Sequence, residues 1–446
     1  MILDNMKSMT EIAKANVHYL DYFNALNDGE NAMAKTHRGD GLHYTLEGYE
    51  VIEPLLEKLI KKFKMRLTFL FSFILLCGLF SCESLPEKND IPLFTNGQGA
   101  YACYRIPAIV NSPNGNLIAF AEGRNKDCND FGDVDILMSK SNDGGLNWSK
   151  PVVVVEFGEF QAGNPAPVWD TLDPRFPKGR LFLFYNTGDV SEHEMRQGKG
   201  SRQVLFITST DEGASWSVPT EITKWVHFNK SSTQPRKDWR TNATTPGHAI
   251  QLKIKPFTGR LYIPANHSHG DPQEGFNEYR AYGFYSDDHG LSWAVSPDID
   301  VPSSNEAIGV ELPDGKLMLN IREQNGNSKR RLVVLSEDGG ISWKENYFDQ
   351  ALISPVCQSS ILLFKGKKDT LLLFSGPNSE TKREQMTIKG SRDFGQSWPL
   401  TEEIYAGTSA YSDLVQIDAN TLGLLYERDR NGINFVRIPL NQLLRE

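Results

Sequence analysis

The chain is poor in cysteine, with five (Cys77, Cys82, Cys103, Cys128 and Cys357) in 446 residues. That is too few for a disulfide scaffold, and no Cys-x-x-Cys pair suggests zinc. The one close histidine pair, His267-Ser268-His269, has no evident further ligands and reads as a polar loop. Apart from one short stretch at 61–66 there is no basic tract, and the formal charge is −9, which argues against a nucleic-acid partner. The apolar run from Leu67 to Phe80 is too short for a comfortable membrane span.

What is present is a repeat. Ser-x-Asp-x-Gly-x-(Ser/Thr/Asn)-Trp occurs five times, ending at Trp148, Trp216, Trp293, Trp343 and Trp398, with gaps of 68, 77, 50 and 55 residues between the tryptophans. The Asp accepts bonds from nearby backbone N–H groups, the Gly supplies a positive φ, and the Trp packs into the blade. Apolar runs such as Val134–Met138 and Arg331–Leu335 precede the boxes, so each box is expected to be a turn between two strands. The boxes are structural and carry no chemistry. A repeat of this period predicts an all-β fold, a six-bladed β-propeller in which five blades carry boxes. The sixth is expected to close by pairing a strand near Ile91–Phe94 or Tyr104–Val110 with Leu422–Glu427 and Asn434–Ile438.

Ahead of the propeller the chain reads as a short α-rich fragment and a signal-like apolar helix. Residues 65–82 follow a basic flank and have the character of a signal segment. Leu79-Phe80-Ser81-Cys82 resembles a bacterial lipobox, which implies export and a lipid anchor through Cys82. Residues 83–90 form a linker. In residues 1–64, Asp40-Gly41-Leu42-His43 resembles the last block of an SGNH (GDSL-like) hydrolase. The Gly-Asp-Ser block that carries that family's nucleophile is missing, so Asp40 and His43 cannot run acyl transfer. The fragment reads as an inert remnant fused in frame, or as the product of a misplaced start.

The motifs at 91–446 resemble those of the exo-α-sialidases (neuraminidases). Tyr104-Arg105-Ile106-Pro107, Asn320-Ile321-Arg322 and the turn Gly376-Pro377 leading to Arg383, which follows Lys382, match in order the three arginines that hold the substrate carboxylate. Planar guanidinium groups suit that task because they grip a carboxylate bidentately. By the same resemblance Glu427 orients the first arginine and Arg124 is an additional pocket arginine. Tyr411, in Ser409-Ala410-Tyr411-Ser412, matches the nucleophile, and Glu306 matches its base, with Glu311 a rival on the same segment. Asp130, in the loop after Gly123-Arg124, matches the acid/base, with Asp127 and Asp133 as alternatives.

The resemblance implies a retaining exo-α-sialidase that works as a monomer on sialylated glycans, with no cofactor and no metal. Sialidases use Tyr where most retaining glycosidases use a carboxylate, which the substrate's own charge would repel. The rival readings are a trans-sialidase or intramolecular trans-sialidase, which share these groups, and a non-catalytic sialic-acid-binding propeller, which needs the arginines but not the Tyr/Glu pair. No lectin-like module is recognisable before the first blade. The insertions Glu192 to Arg202 and Asn229 to Thr245 are expected to build the pocket rim. Sequence leaves open whether Cys103 and Cys128 form a disulfide.

Overall fold

The computed structural model describes residues 90–228 and 238–444. The fragment at 1–64, the segment at 65–82, the linker up to residue 89 and part of the second expected rim insertion lie outside the described residues. No helix among the described residues is long and apolar enough to cross a membrane.

The fold is all-β. Antiparallel meanders follow one another along the chain. Cys103–Asn111, Leu117–Arg124, Val134–Ser141 and Val152–Val155 form the first. Gln161–Asp170, Arg180–Gly188, Arg202–Ser209 and Thr220–Glu221 form the second. The third comprises Trp239–Thr244, Leu261–His269, Tyr279–Ser286 and Ala294–Val295. The fourth comprises Ser304–Glu311, Leu317–Glu323, Arg330–Ser336 and Glu345–Ile353. Ser360–Lys365, Thr370–Pro377 and Glu384–Ser391 pair onward to the long strand Leu400–Asp418. The second half of that strand pairs with Thr421–Arg428, which pairs with Gly432–Pro439.

The outermost partner of Gly432–Pro439 is Asp90–Thr95, with Asp90 opposite Val436 and Ile91 opposite Phe435. Of the two candidate closing strands, the Ile91–Phe94 segment therefore pairs with the C-terminal strands. The Tyr104–Val110 segment pairs instead with Leu117–Arg124.

All five boxes share one hydrogen-bond pattern. The Ser Oγ donates to the Asp carboxylate at 2.7–2.8 Å and accepts from the Gly N–H at 2.8 Å. The same Asp oxygen accepts the N–H of the residue before Trp at 2.8–2.9 Å. The tryptophans do more than pack into their own meander, because several bridge to another meander. Trp148 meets Phe435 edge-on at 4.9 Å, Trp216 lies 6.2 Å from Phe120, and Trp293 lies 5.3 Å from Phe184. Gly145, at φ 90°, faces Phe435 so closely that a Cβ there would overlap the ring. The box glycine thus serves a close approach as well as a turn.

The His267-Ser268-His269 segment is not a polar loop. It ends the strand Leu261–His269, and His267 is fully buried, stacked on Trp239 at 3.6 Å and bonded to Asp298 at 3.1 Å. His267 is buried because Trp239 and Tyr282 fill the space on its face. His227 is buried beside the same Trp239, with its Nδ1 unpartnered.

Two outcomes are expected. Gly145→Ala should lower the denaturation midpoint more than Gly395→Ala. Both introduce a side chain at positive φ, which costs about 1–3 kcal/mol, but the nearest atom to a Cβ at Gly395 is the flexible Met318 Cε at 3.3 Å. Equal losses in urea unfolding would dismiss the Phe435 contact as the cause. Burial, reinforced by the neighbouring His267, depresses His227 to about 3. It is therefore neutral in the folded state and protonated at mild acidity in the unfolded one. Its contribution to stability is complete above about pH 6.5 and is lost as the pH falls toward about 3. Unfolding free energies measured between pH 7 and 5 should decline less steeply in His227→Gln.

Candidate active site

The innermost strands share a local irregularity at one end. Register shifts fall between Arg105 and Ala108, Gly163 and Ala166, Trp239 and Asn242, Ser304 and Ala307, and Ser409 and Ser412. Ile106 and Asn164 have positive φ at these points, 61° and 54°. A bulge re-aims side chains that regular pleating would turn into a sheet face. Here Arg105, Asn164, Glu306 and Tyr411 are aimed into one cavity of about 380 Å³, which Arg124, Asp130, Arg322 and Arg383 also line. Glu306 lies within its strand, at the bulge.

The Tyr411 hydroxyl donates a short hydrogen bond to Glu306. Arg322 donates to the Tyr411 oxygen at 2.9 Å and to the other Glu306 oxygen at 2.5 Å. Burial, aided by the Glu306 charge, pushes the Tyr411 phenol far above its usual range, against the opposing pull of Arg322, Arg383 and Arg105. The phenol is neutral at rest, with its proton directed at a carboxylate. The rival Glu311 is elsewhere. It sits at the opposite end of the strand, accepting the Lys253 and Ile254 N–H groups at 2.7 and 3.0 Å.

Arg105 is gripped bidentately by Glu427 at 3.1 and 3.2 Å, and the same carboxylate accepts the Ile106 N–H at 3.0 Å. Glu427 backs Arg105 without lining the cavity. Asp130 stands over the opening, with its side chain 78% exposed, and accepts from Arg124 at 2.8 Å and Arg105 at 3.2 Å. Partial burial favours its protonated form, but the Arg124 and Arg105 charges outweigh this and hold the carboxyl below its usual range. Asp127 and Asp133 turn away, bonding Asn129 and Asn125 of their own loop.

Cys103 and Cys128 are joined by a disulfide, with Cα atoms 5.3 Å apart. It ties the strand bearing Arg105 to the loop bearing Asp130, each two residues from a half-cystine. Arg124 also bonds the Cys128 carbonyl at 2.7 Å.

Arg383 is anchored through the Val356 carbonyl at 3.1 and 2.7 Å and lies 5.5 Å from the centre of the Tyr411 ring. No carboxylate among the described residues lies within ion-pair distance of it. Lys382 faces a neighbouring pocket instead. Several supporting groups escaped sequence reading. Glu122 pairs with Arg124 at 2.7 Å, and its position two residues away on one strand was the available signal. Arg331 is fully buried, bonding Asn320 and the Cys357 carbonyl at 2.6 Å each. Nothing in sequence marks it. Of the expected rim, Glu192, His193, Arg196, Arg202 and Ala243 line the cavity, and Glu192 pairs with Arg202 at 2.7 Å.

Elsewhere Asp170, Asp173 and His289 converge as cation ligands could. Asp173 is already paired with Arg175 and Arg180 at 2.7 and 3.1 Å, and Asp170 accepts from Gln251 at 2.6 Å. The cluster is an ion-pair network.

A family model described as a BNR repeat-like domain matches residues 115–424. A sialidase of Micromonospora viridifaciens is 33% identical over 384 residues, covering 80% of this chain and 54% of that protein. A sialidase of Bacteroides fragilis is 29% identical over 400 residues, covering 83% and 68%. The chain thus spans about half the length of the Micromonospora relative. Among solved structures, a Hadza microbial sialidase aligns with a TM-score of 0.70 at 26% identity, over 80% of this chain and 69% of that one. An intramolecular trans-sialidase from Ruminococcus gnavus aligns with a TM-score of 0.64 at 18% identity, over 80% and 98%, a likeness of fold.

Asp130 supplies a test of the site's electrostatics. A small carboxylate bound between Arg105 and Arg383 would compete for the charge that keeps Asp130 ionised. The Asp130 pKa should therefore rise on binding, as read by carbon-13 NMR titration of the side-chain carboxyl. An unchanged or lower value would show that the arginines do not couple the two anions.

Proposed function

The chain belongs to the sialidase family with BNR repeats, and on that premise we propose that it is a retaining exo-α-sialidase releasing terminal sialic acids from glycans. The observation that carries this reading is the Tyr411 hydroxyl bonded to Glu306 within a cavity lined by arginines. The anomeric carbon of sialic acid bears a carboxylate. Arg105, Arg322 and Arg383 hold it, and Arg383, with no carboxylate at ion-pair distance among the described residues, contributes positive charge to the site. Arg124 holds the acid loop, and Glu427 keeps Arg105 in place.

The chemistry runs in two steps. Tyr411 attacks the anomeric carbon as Glu306 takes its proton, while Asp130 protonates the departing oxygen. Asp130 must be protonated for this step, and it is ionised in the free site. The substrate carboxylate draws on Arg105 and the sugar excludes water, and both effects raise the Asp130 pKa when the acid is needed. In the second step Asp130 deprotonates water, which attacks the anomeric carbon. Tyr411 leaves and recovers its proton from Glu306, so configuration is retained.

A transferase would use the same groups. Hydrolysis is the reading we take because the Micromonospora and Bacteroides relatives are sialidases. A binding protein would need the arginines but gains nothing from a Tyr hydroxyl aimed at a carboxylate. We read the consecutive meanders as six blades of a propeller, a reading that the contact of Trp148 with Phe435 supports by linking the first meander to the last. Export and lipidation at Cys82, with action as a monomer, complete the proposal.

Two measurements test the mechanism. Hydrolysis of a fluorogenic α-sialoside should fall by about 10³-fold or more in Tyr411→Phe, since groups acting as a unit fail together. Undiminished release would remove Tyr411 as nucleophile. A Cys103→Ala/Cys128→Ala double variant should lose roughly 10-fold in kcat on sialyllactose, a fraction of what general acid catalysis supplies. It should lose little on an aryl sialoside whose leaving group needs no proton. Equal losses on both would make the disulfide a matter of stability alone.

A further inference from the structure

Beside the catalytic cavity lies a second concavity of about 560 Å³. Arg105 and Arg383 line both, so they form the wall between them. The acid loop divides the two in the same way, with Asp130 on the cavity and Cys128 on the pocket. The pocket also contains Lys382 and Arg430, both exposed. Neither has a carboxylate within ion-pair distance among the described residues. The acids lining the pocket are Glu427, already held bidentately by Arg105, and Glu384. Four cations therefore face two acids. Ser409 lines the same pocket, buried, with its Oγ unpartnered.

We propose that this pocket receives the leaving group, and that Lys382 and Arg430 select one bearing a carboxylate: a second sialic acid. The inference rests on the sialidase reading. With the first sugar's carboxylate on the shared arginine wall and its glycosidic oxygen at Asp130, the group beyond that oxygen departs past the acid loop. The far side of that loop faces the pocket. Its volume is within the range that holds small ligands, roughly 300–1,000 Å³. A neutral sugar would leave Lys382 and Arg430 unpaired, whereas a carboxylated sugar gives them a partner. The protein accordingly releases the outer residue of a sialyl-sialoside in preference to that of a neutral sialoside.

The test compares kcat/KM of the full chain on sialyl-sialyl-lactose and on sialyllactose, in wild type and in Lys382→Gln/Arg430→Gln. Exposed ion pairs contribute up to about fivefold each, so wild type should favour the disialoside roughly 3- to 10-fold. The double variant should lose that preference while its rate on sialyllactose stays within about twofold. The methyl ester of the inner carboxylate should lose the preference in wild type too. The proposal is overturned if the variant loses equally on both substrates, which would indicate general steering of sialic acid, or if the preference survives in it. It also falls if wild type cleaves sialyllactose with no preference. Cleavage of neither substrate by folded wild type would bring down the sialidase reading itself, an outcome distinct from loss of the preference alone.

Discussion

Guanidinium groups are costly to bury, and the site is organised around that cost. An unpaired charge taken from water carries a penalty of several kcal/mol, so each buried arginine has been given an acceptor. Arg105 has Glu427, Arg322 has Glu306 and Arg124 has Glu122. Arg383 and Arg331 make do with backbone carbonyls and an amide. The acids do more than neutralise. Glu306 also receives the Tyr411 hydroxyl, so the group that makes Arg322 tolerable is also the base in the mechanism proposed above. The incomplete compensation at Arg383 suits the anion site that we propose.

These groups come from separate meanders, and the fold must hold their ends in register. Asp413 contributes to this. Fully buried, it accepts from the Ile109 N–H, the His248 N–H and Ser360 at 2.8–3.0 Å, and bonds the His248 ring at 2.7 Å. It thereby joins the strand that carries Arg105 to the strand that carries Tyr411. The bulges then turn individual side chains inward, and the Cys103–Cys128 bridge fastens the most exposed element, the acid loop. Strands thus supply Arg105, Arg124, Arg322 and Tyr411, while Arg383 and Asp130 stand outside the strands, Asp130 on a loop pinned by the disulfide.

Much of this was legible in the residues. The box pattern predicted turns between strands, and the turns form with one hydrogen-bond geometry throughout. The residues proposed for chemistry were found by the order of their motifs, and the structure brings Arg105, Arg124, Asp130, Glu306, Arg322, Arg383 and Tyr411 to one cavity, with Glu427 behind Arg105. Where sequence offered rivals, the chain alone could not separate them. Glu306 and Glu311 sit on one strand five residues apart, and the choice depends on which end of the strand faces the cavity. Asp127, Asp130 and Asp133 share a loop, and only its folded path decides which acid meets the arginines. His267 was misread because a polar residue in a polar triplet gives no sign of the tryptophan that stacks on it.

The sequence by itself determined the all-β repeat, its turn chemistry and the inventory of ionisable groups, because these follow from local hydrogen bonding and from residue type. Tertiary structure decided which acid compensates which arginine, which cysteines bond, and that Lys382 and Arg430 meet in one pocket although 48 positions separate them. Those outcomes depend on distances between segments remote in the chain, set by the packing of one meander on the next and by where each bulge turns the backbone.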